Sequence, residues 1–341
     1  MGRLRCGVIG VGRMGRHHAR VYAQDAAVDF VGVVDRDPAR ASGITEEWGG
    51  RAFESVDALL AHGVDAVTIA TPTIHHRDAA ERLLGAGVSC LIEKPLAPDV
   101  TEAAAIAEAA RDSGAVLQVG HIVRYDPVMV AIRSLPDIHP RFIEVDRISP
   151  MTFRSVDVGV VLDMMIHDLD VLLMLLGAEP EDVQANAVCV VGEAEDVCNA
   201  RLTFPPNLEG LRCVANVTAS RLAMKTERKM RIICEDAYIS ADFVARKVTV
   251  VRKTANAAQL AEVRAQLAAG ADLSSVDYLN LVQVDDLEIG SAEPLKLQID
   301  DFLDAVRTGR HPMVDAQAGF AAVRTAERIV DSARAAGARM V

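Results

Sequence analysis

Lys94, Asp163 and His167 are the side chains of this 341-residue chain whose types and placement suit removal of hydride from a carbinol carbon. Hydride leaves such a carbon only as the hydroxyl proton leaves, so the site needs a base and a cation to steady the developing alkoxide. His167, with an ordinary pKa near 6.5, suits the base at neutral pH. Asp163 precedes it by four residues in a run that reads as a helix, which puts both on one face. From there Asp163 can orient the imidazole or meet the substrate hydroxyl directly. Lys94 follows a short apolar run that reads as a strand, and open α/β sheets bind ligands at strand C-terminal ends. Loss of an oxyanion donor in other enzymes costs ~2.7–4 kcal/mol, the scale on which an ammonium at Lys94 would act. Asp168 and Asp170 read as helix-face or structural acids. A divalent-metal site would want more carboxylates or histidines converging, so no metal is expected.

A hydride acceptor is written at the N-terminal end. Gly10–Val11–Gly12–Arg13–Met14–Gly15 sits between a strand-like run and a helix-like run. Gly10 allows the tight turn, Gly12 lets the backbone approach a pyrophosphate, and Gly15 lets helix and strand pack closely. The helix start adds unpaired N–H groups and a positive dipole end. Asp35 follows Gly15 by about 20 residues at a strand end, where a carboxylate receives ribose hydroxyls and repels a 2′-phosphate. NAD is therefore expected, and Arg36 beside it leaves NADP open.

The elements that must position these residues alternate through the first third. Strands are expected at Arg3–Gly10, Asp29–Asp35, Ala52–Phe53, Ala66–Ala70, Ser89–Glu93 and Val116–Gly120. Helices are expected at Met14–Ala26, Ala39–Trp48, Val56–Leu60, His76–Ala86 and Val100–Ser113. This alternation predicts an α/β architecture: an N-terminal Rossmann domain with a doubly wound parallel sheet, residues 1–121. The pattern then changes. Helices Pro127–Ser134 and Val160–Leu176 flank a strand at Arg141–Ser149. Further strands follow at Val183–Val191, Val197–Phe204, Leu211–Ser220, Lys229–Cys234, Ala237–Asp242 and Lys247–Arg252. Short turns between them predict a second, α+β domain, residues 122–341, with a large, mostly antiparallel open sheet. Thr254–Glu293 reads as a long loop with a helix. Leu295–Thr308 and Ala316–Ala336 are closing helices that could pack back on the first domain. Trp48 reads as a packing residue.

Bulk composition narrows the classes. At roughly 150 residues per domain, two domains are expected, each large enough for a core. Half the residues are hydrophobic and the net charge is −12, with no basic run, which argues against nucleic-acid and membrane-surface binders. The longest apolar runs fall short of the ~18 residues a membrane span needs, and no leader-like pattern stands at the start, so a cytoplasmic location is expected. Six scattered cysteines, without a CxxC or Cys/His pairing, read as buried thiols in a reducing compartment.

Three further motifs follow in order: Ala70–Thr71–Pro72–Thr73 leading to His75 and His76; Glu93–Lys94–Pro95; and Asp163–Met164–Met165–Ile166–His167–Asp168. Together with the glycine loop they resemble the Gfo/Idh/MocA family of sugar and inositol oxidoreductases, over nearly the whole chain. The resemblance implies that Lys94, Asp163 and His167 act together. It implies that Thr71, Pro72 and His75 line the nicotinamide end, that His76 is the lesser contact, and that Glu93 holds the nicotinamide ribose. It also implies a cis peptide before Pro95 and homodimers or homotetramers formed through the open sheet face. Gly120–His121, Arg124–Tyr125–Asp126–Pro127, Phe142–Ile143–Glu144 and Arg154 before Asp157–Asp163 look most like sugar-nucleotide 3-dehydrogenases acting on UDP-N-acetylglucosamine. His121, Arg124 and Tyr125 could then face the substrate. Arg124, also expected at the cofactor, and Arg154 are candidates for the diphosphate of a nucleotide sugar, because guanidinium binds phosphate oxygens bidentately. The expected function is NAD-dependent oxidation of a ring hydroxyl carbon, at C3 of UDP-N-acetylglucosamine. The alternatives are a free-sugar or inositol dehydrogenase and, in another class, a non-catalytic dinucleotide-binding regulator.

Overall fold

In the computed structural model of the chain, residues 2–152, 158–270 and 281–340 are described. The first sheet has six parallel strands: β1 (Leu4–Ile9), β2 (Val28–Val34), β3 (Arg51–Phe53), β4 (Ala66–Ile69), β5 (Ser89–Ile92) and β6 (Leu117–Val119). Their order is β3-β2-β1-β4-β5-β6. Every residue of β4 and β5 is buried, as strands covered by helices on both faces must be. The crossovers are α1 (Arg13–Gln24), α2 (Pro38–Trp48), α3 (Val56–His62), α4 (His76–Gly85) and α5 (Val100–Ser113). Local chemistry sets their ends. Ser55 caps α3 by accepting from Ala58 N–H, and Asp99 caps α5 by accepting from Glu102 N–H. Gly114 closes α5 in the left-handed conformation. Strand order reverses between β1 and β4, so a crevice opens at their C-terminal ends, where such folds bind ligands.

A 3₁₀ turn at Ile122–Tyr125 leads into α6 (Pro127–Arg133) and β7 (Phe142–Ile148). A wide π turn at Val161–Met165 continues into α7 (Ile166–Leu176). The second sheet is completed by β8 (Asp182–Val188), β9 (Val197–Thr203), β10 (Val214–Ser220), β11 (Glu227–Ile233), β12 (Ala237–Asp242) and β13 (Lys247–Lys253). After α8 (Ala257–Ala268) comes β14 (Val282–Asp286). The order is β14-β13-β12-β11-β7-β10-β9-β8, with β7 and β10 parallel and the other pairs antiparallel. Strands β7 and β10 alternate strictly between buried and half-buried positions, so one face meets the core and the other is left open. The closing helices are α9 (Pro294–Thr308), packed on α1, and α10 (Ala316–Ala335), which runs against α5 and β6 as well as α7 and β8. Among the described residues, no helix is long and apolar enough to cross a membrane.

Three expectations change. The stretch Thr254–Glu293 contains an edge strand, β14, which local pattern does not announce because Gln283, Asp285 and Asp286 dilute two valines; pairing with β13 creates it. The strand expected over Val183–Val191 stops at Val188, because the N–H groups of Val190, Val191 and Gly192 all turn onto the Asp196 carboxylate. The helix expected over Val160–Leu176 opens with the π turn rather than a regular α turn.

Two buried ion pairs lock α7. Arg147 on β7 makes a bidentate pair with Asp168, at 2.7 Å for both bonds. Arg124 does the same with Asp170, at 2.7 and 2.6 Å. Asp170→Ala strands the Arg124 charge in the interior and is expected to lower unfolding free energy by about 3–5 kcal/mol in denaturant titrations. Replacing both partners with apolar residues of similar volume should recover most of that loss.

Candidate active site

The glycine loop is shaped by exclusion. Gly10 has φ +79° and its N–H donates to the Val34 carbonyl. A Cβ on Gly15 would stand 1.8 Å from the Gly10 carbonyl oxygen. Gly12 instead faces open space, so backbone is exposed at the start of α1, where no side chain caps the first-turn N–H groups. That is the donor set a pyrophosphate needs. Asp35 is held in place by accepting from Val11 N–H at 2.8 Å and Asp37 N–H at 2.9 Å. With Arg36, Arg40, Thr71, Pro72 and His75 it lines a cleft of about 370 Å³ that also reaches Gly10 and Gly12. The Thr71 hydroxyl is buried there without a partner among the described residues.

Side chains beneath the cleft fix its floor. His76 Nε2 lies 3.0 Å from the Thr71 carbonyl and Nδ1 lies 3.1 Å from that of Pro95, so the imidazole ties together the loops after β4 and β5. The Lys94–Pro95 peptide is cis. Glu93 Oε1 sits 2.8 Å from His18 Nε2, and His18 Nδ1 is 3.4 Å from the Thr68 hydroxyl, itself 2.9 Å from Tyr22 Oη. Burial works against the Glu93 charge, but the His18 hydrogen bond and the neighbouring Lys94 outweigh it and hold the carboxyl below the usual range.

Lys94 leaves the end of β5 and reaches the π turn. Its Nζ donates to the Asp163 main-chain carbonyl at 2.6 Å and lies 3.4 Å from Asp163 Oδ1. His167, on the first turn of α7, lines the same pocket of about 250 Å³. The π turn departs from regular α spacing between Asp163 and His167 yet leaves both facing this pocket; such turns recur at functional sites. The helix start is anchored by Glu195, whose carbonyl accepts from Val160 N–H and whose carboxylate accepts from Val161 N–H. A Cβ on Gly159 would stand 2.0 Å from that carboxylate, so a larger residue would displace this acid from the positive dipole end.

The pocket is cationic. Arg13, Arg147, Arg221 and Arg228 line it with Lys94, against the single acid Asp163 among its described lining residues. Burial, then the charges of Lys94, Arg147 and Arg228, push His167 well below its ordinary value, so the imidazole is neutral and available as a proton acceptor. Its Nδ1 has no partner among the described residues. Burial also lowers Lys94, although Asp163 and Glu93 oppose the shift. His121 is fully buried, neither ring nitrogen has a partner among the described residues, and burial lowers its pKa too.

Some expected contacts are elsewhere. Arg124 does not present a free fork: Asp170 takes Nε and Nη2, and the Met313 carbonyl takes Nη1. Tyr125 is buried and donates to Asp301 Oδ2 at 2.6 Å, away from the Lys94 pocket. Both side chains thus have their donors met within the chain, as a buried arginine or phenol must. Met14 lies in the first turn of α1, outside the residues lining these clefts. Arg154 lies outside the described residues. Sequence reading missed His18, Arg147, Arg221 and Arg228. Arg147 did leave a signal: it shares the buried phase of Ile143 and Val145 on β7, a position where a charge requires a partner or a ligand. Among the described residues, no group of three His, Cys, Asp or Glu is placed to hold a metal ion.

The profile of the Gfo/Idh/MocA oxidoreductase family, NAD-binding Rossmann fold, matches residues 4–121, and that of the family's C-terminal domain matches residues 137–240. The chain is 38% identical over 316 residues to a UDP-N-acetylglucosamine 3-dehydrogenase of Acidithiobacillus ferrooxidans, covering 93% of each protein. A solved structure of a UDP-N-acetylglucosamine 3-dehydrogenase from that organism matches with a TM-score of 0.85 at 37% identity, over 98% of this chain and 99% of that one. An inositol 2-dehydrogenase of Rhizobium meliloti is 34% identical over 201 residues, covering 56% of this chain and 60% of that protein.

Two outcomes follow from the site geometry. Gly15→Ala should abolish measurable NAD binding in calorimetry, since the methyl group collides with backbone rather than a movable side chain. His167 should be neutral in NMR titrations of the folded protein at pH 6.5 and above, because its folded pKa lies below the ordinary 6.5. The sign for stability follows. The unfolded chain takes up a proton that the folded site refuses, so the stabilising contribution is present above pH 6.5 and is lost as pH falls below it.

Proposed function

The chain belongs to the Gfo/Idh/MocA oxidoreductase family, and on that premise we propose that it is an NAD-dependent dehydrogenase of the C3 hydroxyl of UDP-N-acetylglucosamine. The observation that carries this reading is the joining of Lys94, Asp163 and His167 to a pocket lined by four arginines. A free polyol offers no charge for Arg13 and Arg228, which have no ion pair among the described residues, whereas a sugar diphosphate does. The likeness to a UDP-N-acetylglucosamine 3-dehydrogenase over nearly the full length of both chains supports the same substrate. The intact Lys94, Asp163 and His167 speak against a non-catalytic regulator.

The residues around the glycine loop fit a dinucleotide, with open backbone at Gly12, uncapped N–H groups on α1 and an unpartnered Thr71 hydroxyl. When bound, the nicotinamide supplies the hydride acceptor. Asp35 receives the adenosine ribose hydroxyls and disfavours a 2′-phosphate, which makes NAD the preferred form, although Arg36 and Arg40 stand beside it. Glu93, kept ionised by His18, holds the nicotinamide ribose.

The chain's own groups handle the proton. Neutral His167 takes it from the substrate hydroxyl as hydride leaves carbon. Lys94 faces the developing alkoxide with its ammonium, and Asp163 fixes the direction of that ammonium through its carbonyl and carboxylate. The outer face of the eight-stranded sheet is the surface for pairing into dimers or tetramers, and free thiols at all six cysteines suit a cytoplasmic enzyme.

Purified protein mixed with NAD and UDP-N-acetylglucosamine should form NADH. Lys94→Ala should lower kcat by about 10²–10³-fold while NAD binding persists. Formation of NADH with a free sugar or inositol but not with the nucleotide sugar would retain the enzyme class and overturn the substrate.

A further inference from the structure

Lys94, Arg147 and Arg221 each have an acid partner, whereas Arg13 and Arg228 have no ion pair among the described residues. In the β7/β11 ladder Arg147 and Arg228 are directly opposed, and both line the Lys94 pocket. Like charges facing each other across an antiparallel pair destabilise a sheet. Arg147 is answered by the bidentate Asp168 carboxylate. The Arg228 guanidinium has no hydrogen bond or ion pair among the described residues, and the residue is exposed. Two acids lie within its electrostatic reach, Asp168 and Asp126. The first is spent on Arg147, and the second accepts from Val128 N–H to cap α6. Partial burial and the Arg147 charge both work against the Arg228 charge. A fold that maintains an opposed arginine pair with one fork unused is arranged for an anion arriving from outside.

We propose that Arg228 is the specificity-determining residue of this pocket, binding the diphosphate of the nucleotide-sugar substrate; this rests on the substrate class proposed above. The chemistry of the substrate fits the layout. The diphosphate hangs on the anomeric carbon, two ring positions from C3. An anion fork must therefore share one hexose-sized pocket with the Lys94, Asp163 and His167 set, as Arg228 does. Arg13, in the first turn of α1, lines the same pocket and supplies a second cation from the Rossmann side. Arg228 belongs to β11 rather than to a loop, so its fork is presented from a rigid ladder, which favours discrimination between substrates with and without phosphate oxygens.

The test compares the full-length enzyme with Arg228→Gln and Arg228→Lys. The readouts are steady-state kinetics with UDP-N-acetylglucosamine, inhibition by UDP, and NAD binding as a control for folding. In Arg228→Gln, KM for the nucleotide sugar and the inhibition constant for UDP should both rise about 10–100-fold, the loss expected for a charge-assisted bidentate contact. The rise in KM should exceed any fall in kcat, NAD affinity should be preserved, and Arg228→Lys should recover part of the loss. If wild-type protein oxidises UDP-N-acetylglucosamine and the Gln variant shows unchanged KM and UDP inhibition, the assignment of Arg228 is overturned while the substrate stands. If wild-type protein neither oxidises a nucleotide sugar nor binds UDP, the substrate reading itself fails, and the assignment falls with it.

Discussion

The position of His167 depends on a pair of buried charges two residues apart. Asp168 reaches Arg147 on the eight-stranded sheet, and Asp170 reaches Arg124 in the link that leaves the six-stranded sheet. Each pair uses both carboxylate oxygens and two guanidinium nitrogens, so the geometry is fixed in rotation as well as distance. Such pairs contribute little net stability against an apolar substitute, yet breaking one is expensive. Their effect here is orientation. The helix between them cannot roll, and its first turn presents Asp163 and His167 to Lys94, which arrives from the other sheet.

Burial does most to set the charge state of the site, and the Arg147 of one pair adds to it. Arg147 is buried beside the pocket because Asp168 neutralises it, but its field is still felt by His167. Lys94 and Arg228 add to that field. An imidazole surrounded by cations and partly desolvated stays neutral, which is the form that accepts a proton. The ammonium of Lys94 meanwhile retains enough support from Asp163 and Glu93 to face an alkoxide. Positive surroundings thus serve two ends at once: they keep the base unprotonated and they favour a substrate that carries negative charge.

Gly12 lines the crevice of the six-stranded sheet, and its chain neighbour Arg13 lines the pocket that holds Lys94. The crevice is built from backbone exclusions, with Gly15 against Gly10, and from a strand-end acid, Asp35. The pocket is built from side chains carried by α1, β5, β7, α7 and β11. Lys94 follows a strand of the first sheet, and its ammonium contacts the π turn that opens α7. Its hydrogen bond to the Asp163 carbonyl therefore couples the two halves at the point where chemistry is expected.

Features written within a few residues were legible in the sequence: the glycine loop between β1 and α1, Asp35 at the end of β2, Lys94 after β5, the strand–helix alternation, and the run of strands that follows. These rest on turn geometry, hydrophobic period and strand-end placement, all of which act locally. Even the paired acids of α7 read as structural rather than catalytic. The identity of the partners was not legible. Arg124 has the chemistry of a phosphate ligand, and only the approach of Asp170 turns it into an internal ion pair. Tyr125 could face a substrate until Asp301 is brought beside it. Arg228 looks like any half-exposed strand arginine until the ladder sets it opposite Arg147. The π turn likewise follows from the way Glu195 anchors the helix start, and Glu195 comes from a distant loop. A side chain's type limits what it can bind, but which of several partners it meets is decided by contacts between segments far apart in the chain, and those exist only once both sheets are packed.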